Sequence, residues 1–154
     1  QAFRVSRAAG VIMAEPASGL LSPKGLSRFS SKFINQISLQ TSPRNFSIIY
    51  HNCGARNVHL DMILEAGLEI YHFSTPMDIP EAFSKVDENV ILSGNLDPTN
   101  VFLTGSPELV REKTRELMRQ TSQYSNFVIS SGCDIPPLTP IENLDAFFES
   151  VRSS

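Results

Sequence analysis

His51 and Cys53 stand two apart at the end of an apolar, extended segment, and a second cysteine, Cys133, follows another such segment far along the chain. Residues two apart on a strand point to the same side, so this imidazole and thiol can grip one ion from a single strand end. Imidazole plus two thiolates is a zinc-type donor set. Three protein ligands leave the fourth tetrahedral position open for water or substrate, as in catalytic zinc sites. A plainer reading stands beside it: two small buried cysteines and a histidine satisfied by a carbonyl, since His-x-Cys arises often by chance.

Four further residues end or follow strand candidates and are candidate substrate-binding groups: Glu15, His72, Asn95 and Asp97. Each has a structural alternative. Glu15 can cap the helix after Ser22, and His72 can be a satisfied strand histidine. Asn95 and Asp97 can shape the turn before Pro98 through their own backbone. Asp134 lies beside Cys133 on the same rim. His59 falls inside a helix and reads as surface. Arg111, Arg115 and Arg119 line a solvated helix face; without aromatic neighbours they make a poor nucleic-acid site.

The elements that must position these groups are legible as alternating strands and helices. A strand over 11–14 ends at Glu15-Pro16 and leads to a loop over 17–21. Ser22-Pro23 then starts a helix, serine capping free N–H groups and proline having none to lose. Its stripe of Leu26, Phe29, Phe33, Ile34 and Ile37 faces a core, and Pro43-Arg44-Asn45 breaks it. A buried strand over 46–50 precedes His51-Asn52-Cys53-Gly54. A helix of roughly ten residues, with Val58, Met62 and Ile63 inward, stops at Gly67, where glycine accepts the left-handed cap. Strands follow over 68–73, 90–94 and 127–130, with a short helix over 80–85 and a long one over 107–121 capped by Ser106. That long helix buries Val110, Leu117 and Met118. Thr139 and Glu142 have capping-box spacing before a last helix with Ile141, Leu144, Phe147, Phe148 and Val151 inward.

The 154 residues carry 13 Lys+Arg against 16 Asp+Glu, a net charge of −3 that argues against a phosphate-seeking surface. At 41 % hydrophobic and 19 % charged, the composition suits a packed globular chain. The longest apolar runs fall far short of the ~20 residues of a membrane span. Arg4 and Arg7 before residues 8–14 imitate a signal peptide only faintly, because Gly10 interrupts the run and Glu15 follows it. The expectation is a soluble, cytoplasmic protein of one domain over 1–154, without nucleic-acid or membrane partners, whose cysteines are reduced thiols rather than a disulfide.

Strands alternating with helices imply right-handed βαβ units and a parallel sheet, an α/β fold with its site at the carboxyl ends of the strands. Five units would build an open doubly wound sheet, or part of a (β/α)8 barrel, of whose usual ~250 residues the chain is roughly a hundred short.

Four strings in order, Glu15-Pro16 with Leu21-Ser22-Pro23, His51-Asn52-Cys53-Gly54, Gly94-Asn95-Leu96-Asp97-Pro98, and Ser131-Gly132-Cys133-Asp134-Ile135-Pro136-Pro137, resemble the uroporphyrinogen decarboxylase superfamily. Within it the chain is similar to the branch of methylcobamide:thiol methyltransferases that includes the methylcobalamin:coenzyme M enzymes. The resemblance implies a (β/α)8 TIM-type barrel, with this chain similar to strands four to eight. It further implies zinc on His51, Cys53 and Cys133, a methyl-corrinoid on a corrinoid protein as methyl donor, and a small thiol as acceptor. Zinc would turn that thiol into a thiolate able to take the methyl group, and Glu15 would fill the open position when no thiol is bound. The decarboxylase branch instead holds porphyrinogen carboxylates with an arginine-rich motif, whose stretch lies outside this sequence, and a strand-end aspartate. Glu15-Pro16-Ala17-Ser18 stands where the aspartate is expected. Alternatives are therefore a decarboxylase-like enzyme acting on a tetrapyrrole, or a non-catalytic piece that associates through open strand edges. An arc of five parallel strands leaves two edges unpaired, so a homo-oligomer is expected.

Overall fold

Five short apolar segments form one sheet of parallel strands, β1 (Gly10–Ala14), β2 (Ser47–Asn52), β3 (Ile70–Phe73), β4 (Ile91–Leu96) and β5 (Phe127–Ser131). They pair strictly in chain order. The computed structural model describes residues 2–41 and 46–153, and the break expected at Pro43-Arg44-Asn45 lies outside them. Between and around the strands run α1 (Ala2–Val5), α2 (Pro23–Leu26), α3 (Lys32–Thr41), α4 (Leu60–Leu64), α5 (Ile79–Phe83), α6 (Pro107–Thr121) and α7 (Ile141–Arg152). Among the described residues no helix is long and apolar enough to cross a membrane.

Register divides the side chains between two faces. Ile12, Ile49, Ile70 and Ile91 are aligned across the first four strands, and in the next row Ala14, His51, His72, Ser93 and Val128 follow one another. Strand alternation puts both rows on one face. The opposite face carries Ile48, Tyr50, Tyr71, Phe73 and Leu92, which pack with Leu26, Ile34, Leu60, Ile63 and Ile79 from the helical layer into one buried cluster. A second cluster, with Leu96, Val101, Phe102, Val110, Leu117 and Ala146, joins β4 to α6 and α7. Burying each such side chain contributes about 1.5–3 kcal/mol, so the helical side holds the arc together.

Several local expectations are met. Ser22 Oγ accepts from Gly25 N at 3.2 Å and Ser106 Oγ from Leu109 N at 3.3 Å, each at the start of its helix. Gly67 takes φ +65°. Gly94 has φ +137°, and a Cβ there would strike the Phe73 carbonyl, so only glycine serves.

Other expectations are corrected. The segment over 17–21 is largely a 3-10 turn (Pro16–Leu20), and wider π-type turns occupy Ser27–Ser31 and Pro98–Leu103. The π turn within the first long helix shifts its phase: Leu26 and Ile34 are buried, but Phe29, Phe33 and Ile37 are exposed. The 3-10 turn Asn57–His59 acts likewise before α4, turning Val58 outward while Ile63 stays buried. His59 is buried, not superficial, and its Nδ1 accepts from Arg56 N at 3.1 Å. At α7 the N-cap is Pro140 without a side-chain cap, the Thr139 hydroxyl has no partner, and Ile141 and Phe148 face outward. The capping box does not form there.

Candidate metal centre

β2 ends with His51 and Asn52, and the alternation of the strand sends them to opposite faces. Asn52 turns into the helical side, where its Nδ2 donates to Ser18 Oγ at 2.7 Å and Tyr50 Oη at 3.2 Å, while its Oδ1 accepts from Gly54 N at 3.2 Å. These bonds fix the bend that carries Cys53. The 3-10 turn after β1 packs on the same bend so closely that a Cβ on Gly19 would lie 2.6 Å from Gly54 Cα. Cys133 is set at the far strand end: Gly132 N donates to Leu96 O at 2.6 Å and Ser131 Oγ donates to Cys133 O at 2.8 Å. Gly132 is buried against Ser74, with no room for a side chain.

The three donors expected on one rim of strand ends do meet there. The ligating atoms of His51, Cys53 and Cys133 all lie within 4.8 Å of one another, His51 Nε2 being 3.4 Å from Cys133 Sγ. A tetrahedral zinc with Zn–S of about 2.3 Å and Zn–N of about 2.0 Å needs its ligand atoms roughly 3.5–3.8 Å apart, so small side-chain rotations suffice. The donor set fits. Burial pushes the Cys53 thiol pKa up, and the neighbouring Cys133 pushes it further; two adjacent thiolates repel unless a cation lies between them.

His72 joins this cluster from β3. Its Nδ1 lies 2.8 Å from His51 Nδ1, and its Nε2 lies 2.7 Å from Ser131 O and 3.1 Å from Ser130 Oγ. Burial holds its pKa below the usual histidine value, and His51 acts in the same direction, against the Ser131 carbonyl and Asp134. The other three candidates, Glu15, Asn95 and Asp97, have partners outside the three donors. Glu15 receives a hydrogen bond from Ser30 Oγ, itself 3.3 Å from Tyr50 Oη, so its carboxylate supports the Ser18, Tyr50 and Asn52 network instead of joining the three donors. Asn95 Nδ2 donates to Met77 O at 2.7 Å and Ser74 O at 3.3 Å, tying β4 to the loop after β3. Asp97 caps the turn at Pro98, accepting from Thr99 N and Asn100 N at 2.8 Å each. Burial is the largest influence on its pKa and raises it, but the hydrogen bonds from Asn100 and Thr99 together outweigh burial and hold it low. Sequence reasoning missed Asn52, Ser130 and Ser131. Period-two alternation around His51 and Cys53 could have flagged Asn52 as their opposite-facing anchor.

Comparison with known proteins bears on the chain as a whole. A uroporphyrinogen decarboxylase of Coxiella burnetii (strain Dugway 5J108-111) is 29 % identical over 147 residues, covering 93 % of this chain and 40 % of the relative. One from Synechococcus sp. (strain JA-2-3B'a(2-13)) is 31 % identical over 140 residues, covering 89 % and 39 %. The chain therefore spans about two-fifths of the length of these curated relatives. A methyltransferase from Methanosarcina mazei superposes with a TM-score of 0.85 at 20 % identity, over 99 % of this chain and 44 % of that one. The five strands are thus an arc of a (β/α)8 barrel. The family model described as uroporphyrinogen decarboxylase (URO-D) matches residues 1–154, and the chain belongs to that family.

Proposed function

We propose that this chain, within a complete barrel, serves a zinc-dependent methyltransferase that moves a methyl group from a methyl-corrinoid, carried on a corrinoid protein, to a small thiol. The observation that carries this reading is the meeting of one imidazole and two thiols within 4.8 Å at the carboxyl edge of the sheet. His51 Nε2, Cys53 Sγ and Cys133 Sγ would hold the ion and leave one tetrahedral position for the acceptor. Bound Zn²⁺ supplies Lewis acidity that lowers the pKa of a coordinated thiol from about 8.5, so that it is a thiolate at neutral pH. In the net reaction a sulfur–carbon bond forms as the cobalt–carbon bond breaks, the corrinoid departs with both electrons of that bond, and the thiol proton passes to solvent. The chain's share is positioning: Asn52 and the Gly19–Gly54 contact hold Cys53, and Ser131 and Gly132 hold Cys133. Good alignment of reacting groups is worth ~7–11 kcal/mol of barrier.

A second reading, a decarboxylase-like enzyme acting on a tetrapyrrole, draws on the relatives named uroporphyrinogen decarboxylase. It gives the imidazole and the two thiols no work. The deciding experiment follows the methylcobalamin spectrum in a zinc-loaded, full-length barrel containing this chain, with a panel of thiols. Demethylation faster than free zinc and thiol achieve supports methyl transfer. Failure with every donor, a corrinoid protein included, returns the function to the tetrapyrrole reading.

A further inference from the structure

The Nδ1 atoms of His51 and His72 lie 2.8 Å apart, a distance at which one nitrogen carries a hydrogen and the other a lone pair. Two carbonyl oxygens, which can only accept, decide the direction. Ser131 O lies 2.7 Å from His72 Nε2, so that nitrogen bears the hydrogen and Nδ1 of the neutral ring is the acceptor. His72 O lies 3.3 Å from His51 Nδ1, so His51 also bears its hydrogen there. The reverse arrangement would set a lone pair against a carbonyl at both ends. His51 Nε2 is left with the free lone pair, and it is the atom 3.4 Å from Cys133 Sγ. Resting on the metal reading above, we infer that His72 is a positioning residue: it holds His51 as the Nδ1–H tautomer, with Nε2 bare and aimed at the metal position.

The same ring spans the strands that bear the ligands. His72 stands on β3, and the residue at its register on β4 is Ser93, whose short side chain leaves the path to β5 clear. Ser93 Oγ lies 3.2 Å from Ser130 Oγ, which also touches His72 Nε2. Beyond it, Ser131 bonds both His72 and the backbone of Cys133. One imidazole thus ties the strand end of His51 and Cys53 to that of Cys133. Outer partners of this kind set both the orientation and the basicity of a ligating histidine.

The test has two arms. In the metal-free protein, long-range proton–nitrogen correlation spectra should show His51 protonated on Nδ1 and His72 on Nε2; the opposite tautomer on either ring overturns the inference. In the second arm, His72→Leu should weaken zinc binding, measured by chelator competition, by about 10–100-fold. It should also alter the visible spectrum of the cobalt-substituted site. His72→Asn, which keeps an acceptor near the position of Nδ1, should recover most of the affinity. If the wild-type protein holds zinc and His72→Leu holds it equally with an unchanged cobalt spectrum, the positioning role is wrong while the metal reading stands. If the wild-type protein holds no zinc, the metal reading itself falls and takes this inference with it. Should the leucine variant fail to fold by circular dichroism, the wild-type tautomers still decide.

Discussion

The two faces of the sheet are built on different terms. On the helical face Tyr50, Tyr71, Phe73 and Leu92 are fully buried, and the covering residues all come from this chain. On the other face Ile12 remains 66 % exposed and Val128 53 %. That second face carries the candidate metal centre, because its upper row holds His51 and His72 and leads to Cys53 and Cys133. The contrast separates stability from reactivity: hydrophobic burial behind the sheet fixes the strand ends, and hydrogen bonds in front aim the side chains. The row of Ile12, Ile49, Ile70 and Ile91 lies where a closed barrel packs its branched interior layers.

Substitutions on the two faces should therefore fail in different ways. The largest effect is expected from Cys133→Ser, since a hydroxyl replaces a thiolate ligand: zinc affinity should fall by well over the ~100-fold that marks the loss of an outer partner. The thermal midpoint of the metal-free protein should stay nearly unchanged. Equal zinc retention after mild chelation in variant and wild type would refute the assignment. Leu92→Ala on the helical face should do the reverse, costing about 2–5 kcal/mol in denaturant unfolding while the folded fraction keeps its zinc stoichiometry.

Tyr71 sharpens the contrast through pH. Burial pushes its phenol from 10.0 to about 12, and the bond from Leu68 N to its oxygen, at 3.0 Å, only partly opposes this. A raised folded-state pKa stabilises the fold fully below pH 10, and the contribution, on the order of 2 kcal/mol, is lost as pH rises toward 12. Unfolding measured across that window should show the loss, and Tyr71→Phe should abolish the slope; a slope that persists assigns it to another group. The smallest effect on stability belongs to the bare face. Ile12→Lys and Val128→Lys should change unfolding free energy by no more than about 0.5 kcal/mol. In the 154-residue chain expressed alone they should nonetheless reduce the self-association expected of exposed apolar rows and open edges. A wild-type chain that sediments as a sharp monomer at high concentration removes that expectation.

The strands and the His51–Cys53 pair were legible because their signals are local: runs of β-branched residues, and a histidine and cysteine at period two. Cys133 joins them as another strand-end residue, and the choice of barrel over doubly wound sheet came from the resemblance. What eluded sequence reasoning depends on phase or on distant partners. A single π turn at Ser27–Ser31 was enough to expose Phe29 and Phe33, although their spacing fits an ideal helix. The 3-10 turn at Asn57–His59 did the same for Val58 and buried His59. Glu15 is a carboxylate at a strand end whose partner, Ser30, comes from the π turn of the next helix, whereas Asp97 accepts from the amides of Thr99 and Asn100, the turn-shaping role its place before Pro98 allowed. His72 was visible as a candidate, but its partners His51 and Ser131 lie 21 and 59 residues away and emerge only from the register.

Strand order that equals chain order also sets a timetable. Each new strand meets only its immediate predecessor, so the arc can grow from its amino end as the polypeptide is made, one crossover closing at a time. His51 and Cys53 are in place once β2 has docked on β1, but their third companion arrives only with β5, 80 residues after Cys53. Until then the chain offers an ion a two-point grip. On the proposed metal reading, tight retention would become possible only when the last strand settles, so that a bound ion would mark completed assembly as well as activate the thiol.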